Sequence, residues 1–241
     1  MERLPVGYGH PTAAASARFP DCRACDTQPV QWRLLQGVSA EDVGRLVAVA
    51  EHCTFRRGQV VFHADDEGDA LHLVSAGCFA IRAGDALLLD VVGPGDAFGE
   101  LALVSPGRRN ATVQALSDGE TLALQRGAFE ALRRQRPAVD RALVAMLADR
   151  LRRAGRLIVE AHFVDADVRV RRRLLELAET FEGPIPLTQE EIGQTAGTSR
   201  ATVNRVLREE AAAGTIELAR GRTTIVDADA LRGHAFAASV H

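Results

Sequence analysis

Two oppositely charged side chains stand nine residues apart in a short apolar stretch that is interrupted by glycine. Glu100 follows Gly99, and Arg109 comes shortly after. A guanidinium is a rigid cationic fork that binds phosphate oxygens, whereas a carboxylate accepts hydrogen bonds from sugar hydroxyl groups. Glycine at 99 lets the backbone approach a ligand closely. The pair therefore predicts a site for a ribose phosphate; the alternative is an ordinary Glu–Arg pair on a surface loop.

Cys22 and Cys25 form a CxxC in a stretch rich in proline and glycine. Such a pair can ligate a metal or an iron–sulfur cluster, or form a redox disulfide. A zinc or cluster site needs four ligands, and Cys53 and Cys78 are predicted singly in an apolar helix and an apolar strand. The seven histidines show no two-His-one-carboxylate spacing. We therefore expect no metal site and no enzymatic activity.

A second group of charged residues lies near the C-terminus. Thr188 begins a capping box that opens a short helix, Gly197 makes a tight turn, and Ser199 opens a second helix. A hairpin with Arg222 in its turn follows. The pattern predicts a helix-turn-helix with a wing; the alternative is a helical hairpin with a solvated arginine face. The residues predicted on the outer face of the second helix are Arg200, Ala201, Asn204, Arg205 and Arg208.

The Glu–Arg pair must be positioned by the elements around it, which are short apolar runs closed by glycine, proline or aspartate. These runs are predicted strands at 59–63, 70–74, 78–82, 86–92, 111–116 and 120–125. Many short strands spaced about ten residues apart predict a closed antiparallel roll of the jelly-roll type. A short helix capped by Ser39 precedes the roll and is predicted to cover it.

A long helix is predicted at 138–163, between the roll and the helix-turn-helix. Its apolar residues recur at gaps of three and four, which is the repeat of a two-helix coiled coil and predicts a homodimer. The alternative is an amphipathic helix in the core of a monomer. The predicted dimer residues are Val144, Leu147, Leu151, Ala154, Ile158 and Ala161.

Composition limits the remaining possibilities. A chain of 241 residues with 46% hydrophobic content can fill the core of one large or two ordinary domains. The formal net charge of -3 is not basic, so binding to nucleic acid must depend on a local arrangement. There is no run of 18 apolar residues and no signal-peptide pattern. We therefore expect a cytoplasmic protein without a membrane partner.

The stretch from Phe98 to Leu103, together with Arg109, Ala111, Thr112 and Val113, resembles the phosphate-binding cassette of cyclic-nucleotide-binding domains. The resemblance implies that Glu100 binds the ribose 2′-hydroxyl and that Arg109 binds the cyclic phosphate. It places Gly99, Leu101 and Asn110 in the lining of the pocket. Asn110 departs from the serine, alanine or threonine usual there, although its amide can still donate to a phosphate oxygen.

The order of roll, dimerising helix and winged helix-turn-helix resembles the CRP/FNR superfamily of bacterial transcription regulators, over residues 32–228. The resemblance implies an α+β fold and four segments: a tail at 1–30, a roll at 31–136, a dimerisation helix and hinge at 137–164, and a winged DNA-binding domain at 165–241. It also implies an allosteric regulator that binds double-stranded, pseudo-palindromic DNA and has RNA polymerase as a partner.

The same resemblance suggests how DNA is recognised. Arg200 and Arg205 match positions that bind guanine, while Ala201 replaces a common glutamate and so predicts a different operator base pair. Arg222 is predicted to contact phosphate. The predicted DNA-binding residues are Gln189, Ser199, Arg200, Ala201, Asn204, Arg205 and Arg222.

Two branches of the superfamily remain open for the effector. The cyclic-AMP branch, our first choice, is favoured by Gly99, Glu100 and Arg109, although Ala154 and Gly155 stand where that branch usually places polar side chains on the adenine. The alternative is a redox, metal or iron–sulfur sensor that uses Cys22 and Cys25. Against that branch, Gln31 stands where its third cysteine is expected.

Overall fold

The computed structural model describes residues 30–84, 87–105, 107–181 and 183–237. Cys22, Cys25 and nearly all of the predicted tail lie outside these ranges. Eight strands form the N-terminal roll: β1 Glu51–Phe55, β2 Val60–Phe62, β3 Ala70–Ala76, β4 Phe79–Ala83, β5 Leu87–Val92, β6 Ala97–Phe98, β7 Thr112–Ala115 and β8 Gly119–Gln125. Their order is β1-β8-β3-β6 in one sheet and β2-β7-β4-β5 in the other, and all pairs are antiparallel. The predicted α+β class with an antiparallel roll is confirmed.

Helices surround and follow the roll. They are α1 Ala40–Val49, α2 Leu101–Val104, α3 Arg126–Gln135, α4 Pro137–Phe163, α5 Ala166–Phe181, α6 Gln189–Ala196, α7 Arg200–Ala212 and α8 Ala228–Ala237, with a 3-10 turn at Arg33–Leu35. The wing consists of strands β9 Ile216–Ala219 and β10 Arg222–Ile225, which pair antiparallel. Arg222, predicted in the turn of the wing, therefore begins its second strand.

The helical context predicted for Cys53 was wrong. Cys53 lies in β1, where it pairs with Thr121 of β8. This edge strand follows directly after the helix capped by Ser39, and most of its side chains are exposed. Such a strand has too few buried residues to show a clear period of two in the sequence. Burial raises the pKa of the Cys53 thiol.

Phe98, on the two-residue strand β6, belongs to the core between the two sheets, together with Phe79, Val74 and Val113. A second core lies where α1, α3 and the start of α4 cover the sheet of β1, β8 and β3. Leu143 of α4 is buried in this second core, and Met146 packs against it. The phosphate-cassette stretch, which includes β6 and α2, is thus held between the roll and the helices that follow it.

The long helix α4 has two apolar faces. Pro137 occupies its first turn, where a proline costs no hydrogen bond. One face, represented by Leu143, packs on the roll. On the other face Val144, Leu151 and Ile158 are 65%, 75% and 61% exposed in the single chain. Five of the six predicted seam residues lie on this exposed face, whereas Leu147 is partly buried and packs against the core around Leu143.

The C-terminal helices pack against the β4–β5 hairpin of the roll. Ile185 and Ile192 share a buried cluster with Leu88 and Val91. Arg82 of β4 adds polar contacts: it donates to Gln194 Oε1 at 2.6 Å and lies 3.5 Å from a carboxylate oxygen of Glu191. The short link at Val164, between α4 and α5, therefore joins two bodies that also touch through this hairpin.

The helix-turn-helix is built as its capping residues predict. Thr188 and Glu191 form the reciprocal capping box of α6, and the Ser199 hydroxyl accepts a hydrogen bond from the Thr202 N–H at the start of α7. A Cβ atom on Gly193 would lie 2.8 Å from the Thr198 carbonyl oxygen. Only glycine therefore allows the two helices to cross this closely.

Among the described residues, no helix combines the length and the apolar character needed to cross a lipid bilayer.

Candidate ligand pocket and nucleic-acid interface

Arg109 is a buried cation at the side of the roll that carries β6 and α2. Its side chain is held by two backbone carbonyls: Nη1 donates to Gly99 O at 3.0 Å and Nη2 to Ala70 O at 2.9 Å. The guanidinium lies 4.1 Å from the centroid of the Phe62 ring, a cation–π distance. Its Nε is buried and has no hydrogen-bond partner among the described residues. Two carbonyls and an aromatic ring therefore hold the guanidinium in one orientation.

Glycine is required at position 99. Its φ of +83° lies in the region that side chains disfavour, and a Cβ atom there would sit 2.6 Å from Arg109 Nη1. Any other residue would push the guanidinium away from its carbonyl partners. Gly99 therefore positions Arg109.

Glu100 is 1% exposed and Arg109 is 6% exposed, so a pair of exposed side chains on a surface loop is excluded. The two residues also do not pair with each other. Oε1 of Glu100 accepts a hydrogen bond from Arg150 of α4, and Arg150 donates in addition to Ala97 O at 2.6 Å. The sequence predicted Glu100 as an acceptor for a sugar hydroxyl but did not indicate that Arg150 already donates to one of its oxygens. Within the described chain its Oε2 carries no hydrogen bond and can still accept one.

Arg150 was missed by sequence reasoning. It lies 50 residues from Glu100, on a helix with several arginines, and the sequence pattern does not distinguish the one that contacts Glu100 from those that face solvent. Its contact ties the cassette directly to the long helix. Three residues later on the same helix, Arg153 pairs with Asp90 of β5 at 3.2 Å and with Glu176 of α5 at 3.4 Å. Arg150 and Arg153 therefore connect one helix to the cassette, to β5 and to α5 through separate ion pairs.

His72 forms part of the aromatic wall beside Arg109. Its ring stacks on Phe98, with centroids 4.9 Å apart and planes 4° apart, and its Nδ1 lies 3.0 Å from Thr121 Oγ1. Burial, and secondly the positive charge of Arg109, lower the pKa of His72 to about 3. His72 is therefore neutral at physiological pH, and Arg109 supplies the positive charge on this side of the pocket.

Stability should depend on pH through His72. The folded-state pKa lies below the ordinary 6.5, so the unfolded chain binds the proton first, and the stability present above pH 6.5 is lost as pH falls towards 3. Between pH 7.5 and pH 5.5 we expect a loss of about 1.4 kcal/mol from this group. Urea unfolding of wild type and His72→Phe at both pH values measures it. The matched control is His52→Phe, since His52 is exposed; equal pH slopes for all three proteins would contradict the assignment.

The outer face of α7 presents polar and charged residues to solvent. Arg200, Ala201 and Arg208 are exposed. Asn204 Nδ2 donates to Gln189 Oε1 at 3.1 Å, which links α7 to the start of α6. Arg222 of the wing is also exposed. Helix and wing together offer five exposed arginines in a chain whose net charge is -3, which is the local arrangement that DNA binding requires.

Arg205 differs from the other arginines of α7. Its Nη2 donates to Asp167 of α5, and its Nη1 donates to Glu209 Oε1 at 2.9 Å. Hydrogen bonds donated to these two carboxylates, Asp167 first, raise the pKa of the Arg205 guanidinium above its usual value.

Comparison with known proteins agrees with this architecture. Residues 52–136 match the model of the cyclic nucleotide-binding domain family, and residues 168–233 match that of the Crp-like helix-turn-helix domain. The chain is 34% identical over 210 residues to the CRP-like cAMP-activated global transcriptional regulator of Mycobacterium tuberculosis, covering 82% of this chain and 94% of that one. It is 35% identical over 208 residues to the cyclic AMP receptor protein of Thermus thermophilus, covering 84% and 96%. The chain belongs to the CRP/FNR family of transcription regulators.

A solved structure supports the fold of this CRP/FNR regulator. The crystal structure of a CRP/FNR-family transcriptional regulator from Thermus thermophilus superposes with a TM-score of 0.66 at 27% identity, covering 77% of this chain and 98% of that chain. The regulator thus combines a cyclic-nucleotide-binding roll with a DNA-binding helix-turn-helix, as the order of its motifs predicts.

The remaining predicted pocket residues of the CRP/FNR regulator lie further out. Leu101 begins α2 and is 41% exposed, and Asn110 is also exposed. Ala154 and Gly155 are exposed on α4, one turn beyond Arg150, and a Cβ atom on Gly155 would meet no atom within 4 Å. The single chain therefore brings Gly99, Glu100 and Arg109 together and leaves the other four at its surface.

No group of three or more His, Cys, Asp or Glu side chains that could hold a metal occurs within the described ranges of the regulator.

Proposed function

We propose that this regulator is a homodimer whose affinity for operator DNA is controlled by a cyclic nucleotide, with cyclic AMP as the first choice, bound at Gly99, Glu100 and Arg109. The observation that carries the proposal is the buried Arg109 guanidinium, held by two backbone carbonyls beside Gly99 in the segment that matches the cyclic nucleotide-binding domain family. The names of the two relatives, one cAMP-activated and the other a cyclic AMP receptor, support the same effector class.

The roles within the pocket follow from the contacts. Arg109 faces the cyclic phosphate, because a guanidinium held by two carbonyls and a glycine turn is positioned in advance. Glu100 accepts from the ribose 2′-hydroxyl through its second carboxylate oxygen, while Arg150 donates to the first. Leu101 and Asn110 border the ligand from the solvent side. Ala154 and Gly155 complete the base site from the long helix.

Isothermal titration calorimetry with cyclic AMP, cyclic GMP and cyclic di-GMP tests this effector class. We expect one ligand per protomer, with cyclic AMP the tightest. If none of the three binds the purified protein, the effector proposal is wrong. Metal analysis and thiol titration of the same sample then test the alternative sensor based on Cys22 and Cys25.

The exposed apolar line on α4 supports the dimer. Val144, Leu151 and Ile158 would be costly to leave in water, whereas a second copy of the same helix covers them by knobs-into-holes packing. Leu147, Ala154 and Ala161 complete the proposed seam.

The proposed domains are a tail at 1–30, a roll at 31–136, a dimerisation helix that ends in the hinge at 137–164, and a DNA-binding domain at 165–241. RNA polymerase is the further proposed partner of the DNA-bound dimer.

Binding of a ligand can reach the DNA-binding domain through the ion pairs already described. A ribose hydroxyl that competes for Glu100 changes its pairing with Arg150 on α4. Arg153 on the same helix contacts both Asp90 of the roll and Glu176 of α5. The ligand must bind one arrangement of these elements more tightly than the other in order to act. We place the resulting reorientation at the link between α4 and α5.

Arg200 and Arg222 should make two different kinds of DNA contact, one to a base and one to a phosphate. Two α7 helices related by a dimer axis reach major grooves about 34 Å apart, so the operator should be a pseudo-palindrome with half-sites roughly ten base pairs apart. Arg200→Ala should cost about 1–3 kcal/mol on the cognate duplex and much less on a scrambled one. Arg222→Ala should weaken both equally and lower the salt slope, because it removes a phosphate contact.

Fluorescence anisotropy at two salt concentrations, on both duplexes, separates the two classes. Gln189, Ser199 and Asn204 are proposed to border the same DNA-binding surface of α7. The cognate duplex is selected with the wild-type protein and is then used for all variants. Equal losses for Arg200→Ala on cognate and scrambled DNA would mean that Arg200 contacts only the backbone.

A further inference from the structure

Arg205 is held between two carboxylates from different elements. Asp167 lies in the first turn of α5, 38 residues earlier in the chain, and Glu209 lies one turn later on α7 itself. The side chain of Arg205 is nevertheless 53% exposed, whereas that of Asp167 is 31% exposed. Part of the guanidinium therefore remains accessible to solvent while Asp167 and Glu209 hold the rest.

The number of donors makes this arrangement compatible with base recognition. A guanidinium has five N–H donors in one plane, and Asp167 and Glu209 each take one from a different terminal nitrogen. Three donors remain, and guanine needs two, at O6 and N7. A free arginine side chain loses much rotamer freedom when it is fixed on a base. One that is already fixed by two carboxylates has less to lose.

The carboxylates also change how Arg205 responds to the phosphate backbone. An unpaired arginine attracts any DNA, since phosphate attraction does not depend on sequence. Neutralisation by Asp167 and Glu209 reduces that attraction, while the orientation for hydrogen bonding is kept. Pairing therefore shifts the contribution of Arg205 away from non-specific binding and towards discrimination between bases.

We propose that Asp167 is a positioning residue for DNA recognition, which holds the Arg205 guanidinium so that its free edge meets a guanine. This inference rests on the proposed binding of DNA by α7. Asp167 stands three residues after the link at Val164, so the residue that orients Arg205 moves with α5. The orientation of a base contact is thereby tied to the element next to the hinge.

Asp167→Asn tests the proposal, with Glu179→Gln as the matched control. Glu179 lies on the same helix, is exposed and has no ion pair among the described residues, so both variants remove one negative charge from α5. Binding is measured on the cognate and the scrambled duplex. We expect Asp167→Asn to lower the ratio of cognate to scrambled affinity about tenfold, mainly by weakening the cognate complex, and Glu179→Gln to leave the ratio unchanged. Asp167→Glu, which keeps the charge and an acceptor, should recover part of the ratio.

A double-mutant cycle separates positioning from a structural role for α5. In an Arg205→Ala background, Asp167→Asn should no longer change the ratio, because the group it positions is absent. The proposal is overturned if Asp167→Asn tightens binding to both duplexes equally, since the carboxylate then only masks Arg205. It is also overturned if the effect persists without Arg205. A wild-type protein that binds neither duplex overturns the proposed function itself, whereas a discriminating wild type with an equally discriminating Asp167→Asn overturns this inference alone.

Discussion

Replacing Arg109 with leucine is expected to weaken cyclic-nucleotide binding about 100-fold. The change removes the buried positive charge proposed to face the cyclic phosphate, and two charge-assisted hydrogen bonds at about 1.5 kcal/mol each amount to roughly 3 kcal/mol. Arg109→Lys keeps the charge but loses the fork and should fall between the two. Calorimetric titration with cyclic AMP measures all three dissociation constants.

A control with the same loss of charge is available next to Arg109 in the chain. Arg108 is exposed and donates only to Asp65 O among the described residues, at 2.7 Å. Arg108→Leu should leave the affinity for cyclic AMP nearly unchanged. Because Arg109 also holds Gly99 and Ala70, thermal unfolding of each variant must accompany the titration. A folded Arg109→Leu protein with wild-type affinity would contradict the proposed phosphate contact.

Leu151→Asp is expected to convert the dimer to a monomer at micromolar concentration. Leu151 is 75% exposed in the single chain, so the protomer itself should tolerate the change. In the proposed seam two aspartates would be buried without partners across the two-fold axis, and the penalty for a buried ion is several kcal/mol. Sedimentation velocity measures the association state, and binding to the pseudo-palindromic duplex should be lost in parallel.

The matched control for the dimer is Val49→Asp. Val49 is 65% exposed on α1, away from the seam, and its replacement changes apolar surface and charge in the same way. We expect this variant to sediment as wild type does. If Leu151→Asp also sediments as a dimer, the coiled-coil seam has been assigned to the wrong residues, and the exposed line on α4 has another partner.

The sequence alone predicted the parts of this protein that depend on local rules. Six of the eight roll strands, the long helix, the helix N-caps and the spacing from Gly99 to Arg109 are set by periodicity, caps and turns, which act over a few residues. The resemblance carried by the same motifs identified the family, which comparison with relatives confirmed. Strand β1 was missed because it lies at a sheet edge and buries little, and β6 was missed because two residues are too few to show a period.

Only the tertiary structure decided which charges meet. The pairing of Glu100 with Arg150 and that of Arg205 with Asp167 join residues 50 and 38 positions apart. The chain has 29 basic and 32 acidic residues, so composition offers many possible partners for each of them. The choice among them depends on how α4 crosses the roll and how α5 lies under α7. A local pattern determines on which face of its own helix or strand a side chain lies. The packing of helices and strands determines which partner that side chain contacts.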